Sequence, residues 1–273
     1  MSVVLSNIEW IIPVLAACAN IAYGVVLYMC GPTSYSRARG IEHVKDTLFA
    51  IITFSVMYLI YRNLPYLLYV IFSSLGILHE CNTNIPIMLT LQNSENYFLS
   101  MFNSIKTLLL TIFTACTVLN TIPYTSPVAV YFSQATQYLQ WMSHWALINS
   151  YMLYILAIVS THALSIAGLG LALSVPQQTR SIGSILTAIS IAFPSYVLGM
   201  YFLTKSLNIY ILSEKVTYTN VLNVVKDIAL GGFDLAEKLQ TFNIMCDLGL
   251  AITGAATYTI SKLIDNIGHY IKL

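Results

Sequence analysis

The side chains able to do chemistry are few and scattered. Arg62 lies near the middle of an apolar run over residues 47–78, and Asp247 lies near the start of another over 241–267. A centred arginine costs about 2.5–3.5 kcal/mol on insertion scales, so it must face a partner, a cavity or a kink, or reach the headgroups. Two readings therefore stand for Arg62 and Asp247: a polar pathway, or side chains that snorkel. Lys106, close to the end of its run, reads as snorkelled. Gln134, Gln137, Gln140 and His144 recur at three- and four-residue spacing, which places them on one side of a helix. Such an uncharged stripe can line a polar conduit, lie at the lipid interface or hydrogen-bond between helices. His144 and His162, both in apolar context, each read as a hydrogen-bonded core residue rather than a proton relay.

Enzyme chemistry finds no support. There is no P-loop, no G-x-S-x-G, no H-E-x-x-H and no paired-carboxylate constellation. The chain reads as a non-enzyme whose energy source is a partner or an ion gradient. Five cysteines form no disulfide framework. Cys81 follows His79 in a polar stretch, but no second pair stands at ligand spacing, so neither a metal nor another cofactor is expected.

These residues must be positioned by elements that lie in lipid. Hydrophobic residues make up 57% of the 273 and charged ones 8%, against about 25% charged in a soluble globular chain. Mean hydropathy is +0.74. Twelve basic and eleven acidic residues cannot cover a globule of this size, so the surface faces something other than water. The formal charge of +1 gives no basic field for gripping nucleic acid from solution.

A membrane helix needs about 20 mostly apolar residues. The sequence supplies six such spans, within a range of five to seven, at 8–30, 47–78, 97–122, 147–175, 182–203 and 241–267. The fold class is an all-α, polytopic integral membrane helical bundle, one domain over 1–273, multi-pass in the cell membrane. The run at 47–78 would be about 48 Å of helix, too long for one straight span and too short for two full ones. It reads as one long, kinked and tilted helix with Pro65 near its middle, or alternatively as two re-entrant half-helices. Two segments read as amphipathic and separate from the spans. Residues 128–146 carry the glutamine stripe, and residues 205–240 carry mixed charges with a joint at Gly231-Gly232. Pro194 reads as a break in the fifth span.

Arg37, Arg39 and Lys45 lie in the segment 31–46, and no Lys or Arg lies in 79–96. The positive-inside rule then puts the first loop in the cytoplasm and the N-terminus outside. On a six-span count Arg180 falls outside, while Lys205, Lys215, Lys226 and Lys238 fall inside. If the helix over 126–147 crosses the membrane, these assignments exchange.

No Asp, Glu, Lys or Arg occurs from 107 to 179, and Arg180 ends that stretch inside a motif. The motif reads Pro176-Gln-Gln-Thr179-Arg180-Ser-Ile-Gly183, preceded by Gly168-Leu-Gly170 and followed by Phe193-Pro194. On physical grounds Pro176 ends one helix, Thr179 caps the next, and Gly183 leaves room for close approach. Gly168 and Gly170 make a small-residue face on the preceding helix. A well-packed hairpin with Arg180 at the headgroups and a channel element are both consistent with this.

The motif, over about 30 residues, resembles the archaeal relatives of the TrbL-like channel family of conjugation and type IV secretion. Those proteins pair two spans around a Pro-x-Thr-Arg-x-x-Gly-like turn, and here one extra residue separates Pro and Thr. The surrounding chain resembles the CedA-like membrane proteins of the crenarchaeal exchange-of-DNA import system. The resemblance implies a membrane channel or scaffold subunit of a DNA-import machine, passing single-stranded DNA. It implies a HerA-like motor ATPase and small pilin-like membrane proteins as partners, with membrane lipid around a homo-oligomer. A conduit for DNA favours cationic or uncharged polar lining, which the glutamine stripe fits. The alternative is a secondary transporter or small-solute permease, with Pro65 and Pro194 marking broken helices, although the halves show no clear repeat.

Overall fold

The computed structural model describes residues 2–76, 87–122, 124–176, 178–207, 209 and 220–270. His79, Cys81 and Lys215 lie outside the described residues. Among the described residues the structure is all-helical. The helices are α1 (Ser2–Cys30), α2 (Ser34–Ser74), α3 (Ile87–Thr121), α4 (Ser126–Thr161), α5 (Ala163–Ser174), α6 (Arg180–Ser206) and α7 (Val221–Tyr270). Five of them, α2, α3, α4, α6 and α7, are long and apolar enough to cross a membrane. The chain is a multi-pass membrane protein, and five long helices fall within the expected range.

Several helices exceed the hydrocarbon thickness. At 1.5 Å per residue, the 41 residues of α2 reach about 61 Å and the 50 of α7 about 75 Å, against a hydrocarbon core of about 30 Å. The excess is polar sequence that keeps helical hydrogen bonding. In α2 it is the segment 34–46. Thr33 and Ser36 close a reciprocal capping box there: the Ser36 backbone N–H donates to Thr33 Oγ1 at 3.1 Å and the Thr33 N–H to Ser36 Oγ at 3.1 Å. That box satisfies two orphan donors and starts the helix well before the apolar run. The helix then continues through Pro65.

Three boundaries differ from the sequence reading. First, residues 128–146 are not a separate amphipathic helix, because α4 runs unbroken from Ser126 to Thr161. Second, the run 147–175 is divided at His162, where α4 ends and α5 begins. Ser160 and Thr161 donate their hydroxyls back to the Leu156 and Ile158 carbonyls at 2.7 and 2.6 Å, and the His162 N–H closes a tight turn on Val159. Third, Gly231-Gly232 makes no joint. α7 passes through both, since packing outweighs the helix cost of about 1 kcal/mol per glycine. A Cβ at Gly232 would already touch the Leu139 side chain at 3.3 Å, whereas one at Gly231 meets nothing within 4 Å. Gly231→Ala is therefore expected to stabilise the protein by up to about 1 kcal/mol. Thermal unfolding in detergent would read this, and a loss of stability would contradict a continuous helix at this point.

The core is formed mainly where α3, α4, α6 and α7 meet, around Phe98, Ile105, Leu153, Leu198, Leu239 and Phe242. The first half of α7 lies along α4, with Tyr138 donating to Gln240 at 2.7 Å. Asn149 donates to Asn243 at 3.0 Å inside the bundle, and Asn243 donates to the Met142 carbonyl at 3.1 Å. The second half runs along α6, where the Tyr196 hydroxyl donates to the Cys246 carbonyl at 3.0 Å. In lipid such hydrogen bonds and close backbone approach supply much of the helix association.

Candidate functional site

The site grows from the turn between α5 and α6. α5 ends at Ser174 with orphan carbonyls that need donors. Thr179 occupies the N-cap position of α6, but its side chain does not cap that helix. Its hydroxyl donates backwards to the Leu173 carbonyl at 2.7 Å. The expected cap is thus corrected: Thr179 seals the C-terminus of α5, where unpaired acceptors lie in reach. Its own carbonyl accepts the Gly183 N–H at 2.9 Å, which starts α6.

Behind the turn the two helices touch backbone to backbone. A Cβ on Gly183 would overlap the Gly170 carbonyl and the Ser174 nitrogen, and one on Gly170 would lie 2.7 Å from the Thr187 nitrogen. Gly168 is buried and faces a neighbouring apolar cavity. Pro194 is buried inside α6 without interrupting it, so the expected break is absent.

Arg180 opens α6 and is only 7% exposed. A cation at a helix N-terminus opposes the helix dipole, so burial there requires a counter-charge. Asp46 of α2 provides it: Arg180 Nη2 lies 2.7 Å from Asp46 Oδ2, and Arg180 Nε donates to the Ser174 carbonyl at 3.2 Å. This pair ties the hairpin to the segment 31–46. It also places Arg180 at the same end of the bundle as Arg37, Arg39 and Lys45, against the six-span count.

Around the pair opens a chamber of about 450 Å³, walled by Asn20 and Tyr23 of α1, Arg39, Glu42 and His43 of α2, and Gln178 of the turn. His43 stacks edge-to-face on Tyr23 with ring centroids 5.1 Å apart. Its Nε2 is buried without a hydrogen-bond partner. His43 precedes the apolar run that begins at Thr47, and burial lowers its pKa below the usual histidine value against the opposing pull of Asp46, with Arg39 adding to the lowering. A second, apolar cavity of about 320 Å³ adjoins this chamber between α1, α2 and α5.

The motif residues Pro176, Thr179, Arg180 and Gly183 thus come together. The other expected polar residues do not converge. Arg62 is exposed on α2 and Asp247 on α7. Gln134, Gln137 and His144 are exposed on the outward side of α4, and His162 is exposed at its end, so neither histidine is the core residue expected. Gln140 is half-buried with its amide on Thr136 Oγ1 at 3.0 Å. His144 Nδ1 lies 2.7 Å from the Gln140 carbonyl. Among the described residues, no three His, Cys, Asp or Glu side chains gather as a metal site. Sequence reasoning missed Asp46 and His43 as members of the site, and missed the crossing of α1 and α2 at Gly24 and Gly40. There a Cβ on Gly40 would lie 2.6 Å from the Gly24 carbonyl.

Compared with known proteins, the chain matches no family model, no curated protein and no solved structure.

Proposed function

We propose that this chain is a membrane subunit of a DNA-translocation machine in the cell membrane, a wall or scaffold element that passes single-stranded DNA only as part of an assembly. The observation that carries the reading is the hairpin. The residues on which the resemblance to the TrbL-like channel family rests, Pro176, Thr179, Arg180 and Gly183, form one unit pinned to α2 by a buried ion pair. The centre of the bundle is filled by side chains such as Phe98, Ile105, Leu153 and Phe242. A conduit would therefore need several copies, with outward residues such as Gln134, Gln137 and His144 toward it, and a HerA-like motor ATPase with small pilin-like proteins beside it.

A second reading, a small-solute permease, is favoured by the charged chamber of about 450 Å³, which suits a small polar molecule. Disrupting the gene separates the two. The DNA reading expects marker exchange between cells to fall to background while uptake of labelled solutes is unchanged. Normal exchange with impaired uptake would leave the permease reading standing in its place.

A further inference from the structure

The two adjoining cavities differ in chemistry, and their order matches that of an amphiphile. Asn20 and Val175 line both. The lower cavity is walled almost wholly by apolar groups, among them Ala17, Ile21, Ala50, Phe54, Leu171 and Ala172. Helix interiors pack to a density that leaves few voids larger than a water molecule, and an apolar void forfeits dispersion contacts along its whole lining. Within a bilayer the material at hand to fill it is hydrocarbon. The upper chamber is polar, and its own lining is balanced, Arg39 and Arg180 against Glu42 and Asp46; the excess positive charge lies at the end of the bundle on which it opens. Arg180 is matched by Asp46. Arg37, Arg39 and Lys45 remain at this end against Glu42, and the buried Nε2 of His43 has no hydrogen-bond partner.

We propose that the groove between α1, α2 and α5 binds one anionic membrane lipid, its hydrocarbon chain beside Ala172 and its headgroup against Arg39 and His43. The apolar chamber sets the chain and the basic excess sets the headgroup, so the two halves of the site can be tested apart. The lipid would brace α1 and α2 against the hairpin at the end where Arg180 meets Asp46.

The test uses the full-length chain purified in detergent and examined by native mass spectrometry with added dioleoyl phosphatidylglycerol or dioleoyl phosphatidylcholine. The wild type is expected to retain one phosphatidylglycerol about fivefold better than phosphatidylcholine, the scale of one basic side chain near an anionic headgroup. Arg39→Gln, on an exposed side chain that the fold does not need, is expected to abolish that preference while a lipid is still retained. Ala172→Phe is expected to lose both lipids, with size-exclusion behaviour checked against the wild type. Glu42→Gln is expected to strengthen phosphatidylglycerol retention. Equal retention of the two lipids by the wild type overturns the proposal, as does unchanged binding in Ala172→Phe with the protein monodisperse. If Ala172→Phe does not fold, Arg39→Gln decides: a preference that survives it overturns the proposal.

Discussion

Gly183→Leu is expected to destabilise the protein by about 3 kcal/mol, at the upper end of the usual cost of overpacking. A Cβ at this position would meet the Gly170 carbonyl, the Ser174 nitrogen and the Leu173 carbonyl carbon. All three belong to backbone, which cannot rotate aside as the tip of a side chain can. The helices would have to separate. That would pull the Thr179 hydroxyl from the Leu173 carbonyl and strain the bond from Arg180 to Ser174. Gly254→Leu is the matched control. It lies in α7, and a Cβ there meets nothing within 4 Å. Its effect should be neutral or stabilising, by up to about 1 kcal/mol, as for Gly231→Ala. Thermal unfolding followed by circular dichroism in one detergent would compare the two. If Gly183→Leu unfolds at the wild-type temperature, α5 and α6 do not cross here.

The legibility of this chain in its sequence follows from what hydropathy can sense. Apolar runs mark where helices meet lipid, so the helical membrane class and the approximate number of long helices could be read directly. Hydropathy falls silent where polar side chains begin, although backbone hydrogen bonding continues. The segment 34–46 is charged and still helical, and the readable signal for it was Thr33 and Ser36 at capping-box spacing. The division at His162 was hidden because Ser160, Thr161 and His162 sit in an apolar run whose hydropathy hardly changes.

Orientation was harder to read than span, for a related reason. On α4 the buried side holds small residues such as Ala129, Thr136, Ser143, Ala146, Ser150 and Ala157, while Tyr131, Gln134, Trp141 and Trp145 face outward. In water, large apolar groups would go inside. In lipid, small residues permit close approach and large ones lose little by facing hydrocarbon or the interface. The glutamine stripe therefore marked a face of the helix but not its direction. The hairpin motif could be read because its parts are local. Asp46 could not, because it lies 134 residues from Arg180 and nothing in a single sequence couples them.

Asp46→Ala is expected to cost about 3 kcal/mol, the lower part of the range for breaking a buried pair, because the Asp46 side chain is 19% exposed and beside a polar chamber. The change leaves the Arg180 guanidinium, 8% exposed, at the start of α6 where the dipole disfavours a cation. Arg180→Ala leaves the more exposed partner, a carboxylate with chamber basic groups nearby, so its cost should be smaller, about 2 kcal/mol. The double replacement Asp46→Leu with Arg180→Met removes both charges and restores packing volume. It should recover most of the loss, since apolar substitutes for a buried pair are often neutral or better. Additive losses from the two single alanine changes and their combination would show that the pair is not coupled, and the picture of a hairpin held by α2 would fail. Activity then separates anchoring from a further role. If the pair only anchors, DNA exchange at equal protein level should follow stability and return in the double replacement. If Arg180 also meets DNA or a partner, exchange stays low in Arg180→Ala and in the double replacement although the fold is restored. On the proposed function the second pattern is expected, because Arg180 is the one basic residue between Lys106 and Lys205 and stands at the hairpin turn.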